Sequence, residues 1–210
     1  MFLDNDAFVS PGWLARMLYH LEVDPLCACV GPLSDRAAHG QQVEYGGGPD
    51  LASVEAFARR TSLANPRGAR HASLLSSFCL LVRRSLVDEI GGFDERFSPW
   101  GFEDDDFTLR ASLSGPHGRH NRIALDVFVR HEGYRGRKLE RHQGLLERNW
   151  ERFRAKWGLP AGAAHGDYTA LAPLLERGAR PCELPITIDS DVAGCPPADE
   201  HARTKRCATS

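Results

Sequence analysis

The sequence holds no uninterrupted apolar run that approaches the length of a membrane span, so no spanning helix is expected. It has little charge imbalance. A net charge of −2 provides no general basic field, and nucleic acid is not expected as a partner. The first residues lack the basic segment and apolar stretch of a secretory signal. None of the six cysteines forms a CxxC, which argues against a zinc or disulfide framework. Cys27, Cys29 and Cys79 sit in apolar runs and read as reduced core residues in a reducing, cytoplasmic compartment. Internal repeats are also missing. What is present is an ordinary globular composition, 42% hydrophobic and 26% charged over 210 residues, enough for one domain with a core.

Along the chain, strand patterns alternate with helical ones. "SPGWLARMLYHLEVDP" puts Leu14, Met17, Leu18 and Leu21 on one helical face, with Ser10 as cap and Pro11 in the first turn. "LCACVGP" is a short buried strand, and Asp50 caps a helix reaching about Ala64. "ASLLSSFCLLVRR" reads as a strand, followed by a short helix "SLVDEI" that Gly91-Gly92 stops. "FDERFSPWGFEDDDFTLRASLSG" reads as a loop and then a helix opening in acids, and "RIALDVFVRHEG" as a strand. "KLERHQGLLERNWERFRAKWG" is a long amphipathic helix with Leu146, Trp150, Phe153 and Trp157 as its stripe. Its outer face carries Arg141, Arg148, Arg152 and Lys156, which could meet an anionic membrane peripherally. A solvated face balanced by Glu147 and Glu151 is the preferred reading. The expectation is an α/β sheet flanked by helices over residues 1–160 and a poorly structured, flexible tail over 161–210, which contains Cys182, Cys195 and Cys207.

Three acidic or imidazole features stand at the ends of these elements. Asp4 and Asp6 in "DND" fall on one side of a continuing strand and could share a divalent cation; a simple turn is the commoner reading of such a triplet. In "WGFEDDDFTLR", four acids from Glu103 to Asp106 crowd the first turn of a helix, where the macrodipole offsets part of their repulsion. They cannot all face one cleft, because successive helical residues are rotated apart. Asp106 can pair with Arg110 one turn on, while Glu103 and Asp104 lie closest to the preceding loop. Taken alone, such a helix start is more often a solvated surface. His131 sits where an apolar strand runs out, a usual position for a ligand-binding group in α/β folds. Imidazole with carboxylate suits manganese better than magnesium.

Taken together, "FLDND…PGWL", "VGP", "GGFDERFSPWGFEDDDFTLR", "VFVRHEG" and "NWERFRAKWG" resemble, in order, the family 2-like inverting glycosyltransferases of the GT-A fold. "WGFEDDD" is similar to the "WGGEDDD" stretch of the β-1,4-galactosyltransferases. The resemblance implies a GT-A-like mixed sheet and transfer of a sugar from a nucleoside-diphosphate donor to a hydroxyl of a glycan, lipid-linked or protein acceptor. It implies Asp6 and His131 as ligands of a divalent metal, Mn2+ rather than Mg2+. Asp4 would lie near the ribose or the metal's water shell, and Asp104 would be the general base. Glu103, Asp105 and the Gly91-Gly92-Phe93-Asp94 loop would place the acceptor, and Trp100 and Phe102 could offer flat apolar surfaces to a sugar ring, with core packing an equal alternative. In that family, β-α units forming the nucleotide pocket precede the D-x-D; three of them at about thirty residues each would be roughly ninety residues. The chain is therefore expected to be an N-terminally truncated portion of such a domain, with impaired transfer as written. A non-catalytic remnant or interaction module is the alternative, and a nucleotidyltransferase ranks third because it leaves Glu103-Asp104 without a role.

Overall fold

The computed structural model describes residues 1–115, 118–133 and 137–177. In chain order the elements are β1 (Phe2–Leu3), β2 (Ala7–Phe8), α1 (Trp13–Glu22), β3 (Cys27–Leu33), α2 (Leu51–Ala64), β4 (Ala69–Ala72), β5 (Cys79–Val82), α3 (Arg84–Ile90), α4 (Glu103–Leu113), β6 (His120–Phe128), β7 (Arg130–His131), α5 (Arg137–Lys156) and α6 (Ala172–Arg177). Five strands make one sheet in the order β1-β5-β3-β6-β4. Within it β3 and β6 run parallel and the other neighbours antiparallel. β2 and β7 form a separate antiparallel ribbon that sets Ala7 opposite His131. This is the mixed α/β sheet flanked by helices that the alternation of patterns implies.

Burial follows from the pleat. All seven residues of β3 are buried, as expected of a strand covered on both faces. Along β5 the faces alternate: Leu80 joins Val54, Ala58, Leu86 and Phe107, whereas Cys79 and Leu81 join Met17, Leu21 and Val30. So α2, α3 and α4 cover one face and α1 the other. A third cluster of Phe97, Phe102, Leu109 and Leu113 with Trp150, Phe153 and Trp157 fastens α5 to the body. Cys27, Cys29 and Cys79 are buried free thiols, and burial pushes the Cys27 and Cys79 pKa values up to about 12.

Several elements differ from the sequence reading. α1 starts after Gly12 in a left-handed conformation and has no side-chain cap, so Ser10 does not serve as one. Of its expected stripe Met17 and Leu21 are buried, while Leu14 and Leu18 are each 37% exposed. Asp50 does cap α2, accepting from the Ser53 N–H at 3.0 Å. The apolar run around Leu74 divides into β4, a connection and β5; Leu75 is buried in the connection, where its N–H donates to Thr108 Oγ1 at 3.2 Å. Gly91, at φ +79°, ends α3 as a glycine can at little cost. The ordered body runs past residue 160: Leu171 is 1% exposed and belongs to the α5 cluster. The expected tail from residue 178 onward lies outside the described residues. No helix among the described residues is long and apolar enough to cross a membrane.

Candidate functional site

The "DND" triplet is a turn, and it still gathers ligands. β1 ends at Leu3, Asp4 N–H donates to the Phe78 carbonyl at 2.8 Å, and the chain turns back through Asn5 and Asp6 into β2. Because β2 pairs with β7, the turn comes to rest beside His131. His131 Nε2 stands 3.4 Å from Asp4 Oδ2 and 3.3 Å from Asp6 Oδ1, and the three ligand atoms lie within 4.8 Å of one another. The other Asp6 oxygen accepts from the Gly133 N–H at 3.1 Å. His131 Nδ1 is 3.1 Å from the Arg36 carbonyl oxygen, which can only accept. The ring hydrogen therefore belongs on Nδ1, and the Nε2 lone pair of the neutral ring faces two carboxylates. Such a set calls for a positive charge. Burial opposes the imidazolium, but Asp4, the Arg36 carbonyl and Asp6 outweigh it and raise the His131 pKa. Two carboxylate oxygens and one oriented imidazole nitrogen are a donor set that could hold a divalent cation.

The four acids of α4 have four different surroundings, and two of them are far from solvated. Glu103 and Asp104 line a cleft of about 510 Å³ whose other wall carries Asp4, Asp6 and His131. Asp105, 5% exposed, is turned away from it: His39 Nε2 lies 2.5 Å from Oδ1, and the Tyr168 hydroxyl donates to Oδ2 at 2.5 Å. Asp106 is fully buried. It accepts from Arg110 Nε at 2.9 Å and Trp157 Nε1 at 3.1 Å, with Lys156 Nζ at 2.6 Å. The i, i+4 pairing with Arg110 is the one expected. Gly101, at φ +97°, and Phe102, at φ +72°, make the left-handed bend that delivers the chain into α4.

Asp104 is held from two sides. Its Oδ2 accepts from the Ser77 N–H at 3.1 Å and its Oδ1 from the Asp105 N–H at 3.0 Å. Burial, then the charges of Asp105 and Glu103, push its pKa up to about 8. Burial likewise raises Glu103, whose Oε2 is enclosed with no hydrogen-bond partner among the described residues. The sign for stability follows from linkage. A folded-state pKa above the unfolded value near 3.8 means the native protein holds the Asp104 proton more tightly; that contribution is full below about pH 4 and is lost as pH rises toward 8. Asp104→Asn cannot ionise. Urea midpoints at pH 5 and pH 8.5 are expected to show the variant gaining on the wild type at the higher pH; a constant difference would contradict this.

Other sequence candidates lie elsewhere. The Gly92-Phe93-Asp94 loop does not line the cleft. The Gly92 carbonyl accepts from Arg110 at 2.6 Å, and Phe93 packs between Phe2 at 4.7 Å and Phe107 at 5.1 Å. Asp94 binds Arg96 and Lys156, which hold its carboxyl well below the usual range against the opposing effect of burial. The loop is scaffold for α4. Phe102 is core, while Trp100 does line the cleft. Lys156 is drawn inward to Asp94 and Asp106 rather than lying on a basic outer face; the Arg141 side chain lies outside the described residues. Sequence reasoning passed over Arg36, Ser77 and Phe78 in the cleft wall, and over His39 and Tyr168. Phe78 stacks on the His131 ring at 4.9 Å. The cue for Arg36 was its position just after the end of β3.

The cleft thus joins a carboxylate–imidazole group to an acidic helix start. Residues 63–132 match the family model described as the N-terminal domain of galactosyltransferase, which supports a glycosyltransferase. The matched stretch is about a third of the chain and carries both α4 and His131. No curated protein matches the chain.

Proposed function

We propose that this chain is an inverting, GT-A-like glycosyltransferase that moves a sugar from a nucleoside-diphosphate donor to an acceptor hydroxyl, with manganese preferred over magnesium. One observation carries the reading: a single cleft has the Asp4, Asp6 and His131 group on one wall and Glu103 with Asp104 on another. Asp4, Asp6 and His131 would hold the cation. When bound, it offsets charge on the departing diphosphate as a Lewis acid. Arg36, in the same wall, adds a fixed positive charge for the diphosphate.

Inversion is one in-line displacement: the acceptor oxygen bonds the anomeric carbon as the carbon–diphosphate bond breaks. Asp104 takes the acceptor proton as its hydroxyl attacks. A base with a pKa near working pH is well matched to that task. The Ser77 and Asp105 N–H groups fix the carboxylate while each oxygen keeps a lone pair for the incoming proton. Glu103 Oε2, enclosed and without a partner among the described residues, can accept a second acceptor hydroxyl. Trp100 offers an apolar face for a sugar ring. The acceptor, whether glycan, lipid-linked or protein, is thereby held in line with the donor.

Manganese titration of the full chain tests the cation wall directly. Asp6→Ala and His131→Ala are each expected to weaken binding by at least about tenfold, since even supporting residues commonly matter that much. Unchanged affinity would remove both residues from the site. Release of nucleoside diphosphate from a panel of donor sugars, with manganese and mixed glycan acceptors, tests transfer itself. No release from any donor by a protein that binds manganese normally would count against the enzyme reading.

A further inference from the structure

A second group of ligand-type side chains lies at the other end of β6 from His131. The nine-residue strand separates the two groups by roughly 25 Å at its usual rise. Asp24 follows α1, His71 lies in β4 at the sheet edge, and His120 opens β6. Their ligand atoms lie within 4.8 Å of one another. His120 Nε2 is 2.8 Å from Asp24 Oδ2, and the His71 ring stacks on that of His120 at 4.0 Å. The Leu26 N–H holds Asp24 Oδ1 at 3.0 Å, which leaves Oδ2 as the outward oxygen.

We propose that Asp24, His71 and His120 form a second divalent-cation site, of the borderline kind that zinc fills. Two imidazoles and one carboxylate are a frequent zinc set, with a fourth position left for water. Room for that water exists: both imidazoles border a recess of about 260 Å³ with Ser73 and Arg119. His71 is exposed, with its ring stacked on that of His120. The rings now lie 19° from parallel, and a metal must lie near the plane of each ligand ring, so His71 turns out of the stack on binding. Arg122 opposes the cation, with Nη1 3.6 Å from Asp24 Oδ2. The bound ion would tie edge strand β4 to the turn between α1 and β3.

The proposal does not rest on the transferase reading. It is tested by zinc titration of the full chain carrying Asp6→Ala and His131→Ala, which disables the first site. One equivalent is expected to bind and to raise the melting temperature. Adding His71→Ala should weaken that binding at least tenfold, and Arg122→Gln should tighten it. Cobalt in place of zinc should give the intense visible bands of a four-coordinate site, lost with His71→Ala. Zinc bound equally well after His71→Ala would place it on Cys182, Cys195, Cys207 or other ligands and overturn the proposal, as would a double variant that binds none.

Discussion

Asp104→Asn is expected to lower the transfer rate by about two to four orders of magnitude, the range associated with loss of a positioned general base. Manganese affinity and donor affinity should stay close to wild type, because Asp104 is not among the three groups proposed to hold the cation. Asparagine keeps the shape but has a single accepting oxygen, so it retains one of the Ser77 and Asp105 N–H bonds and turns its NH2 toward the other; a stability measurement separates that lost hydrogen bond from the lost proton acceptance. The wild-type rate should also climb as pH approaches 8, where burial and neighbouring acids place the Asp104 pKa. Weakened donor binding with an unchanged rate would move Asp104 from chemistry to binding. The measurements are single-turnover transfer and donor titration on both proteins.

Two residues along the same helix, Asp106→Ala is expected to do the reverse: to leave the cleft chemistry alone and cost about 3 kcal/mol of stability or somewhat more. Its carboxylate is fully buried among Arg110, Lys156 and Trp157. Removal leaves two enclosed cations short of a counter-charge. Arg110 retains the carbonyls of Ile90 and Gly92, each at 2.6 Å, and Lys156 retains Asp94 at 2.7 Å. Those contacts keep the loss near the lower end of the range for a broken buried pair. Urea unfolding at pH 7 measures it; a change below about 1 kcal/mol would mean that Asp94 and the carbonyls satisfy both cations on their own. Asp104→Asn, by contrast, should stabilise the protein relative to wild type as pH rises.

The sequence showed which residues carry charge and chemistry but not which side chain each one meets. Asp4, Asp6, Glu103, Asp104, Trp100 and His131 were singled out from motifs at strand and helix ends, and all six line one cleft. Asp105 was expected to help place the acceptor, but it turns away from the cleft. Rotation along a helix tells neighbours apart, but the partner of each face comes from remote segments, here His39 and Tyr168. The "GGFD" loop was assigned to the acceptor only through the resemblance; its Gly92 carbonyl is taken by Arg110 and its Asp94 carboxylate by Lys156 and Arg96. The sheet was legible in β3, where a wholly apolar run means two covered faces. It was not legible around Leu74 and Leu75, where an apolar run belongs to a buried connection and periodicity has no say.

The ribbon of β2 with β7 has a bearing on the order of folding events. It joins Phe8 to Arg130, and the meeting of Asp4 and Asp6 with His131 depends on that closure. A pairing so distant in sequence forms late, after nearer contacts have drawn the chain together. During synthesis the ligand group is incomplete until His131 has emerged and docked. The proposed cation would therefore lock the finished protein rather than guide its assembly.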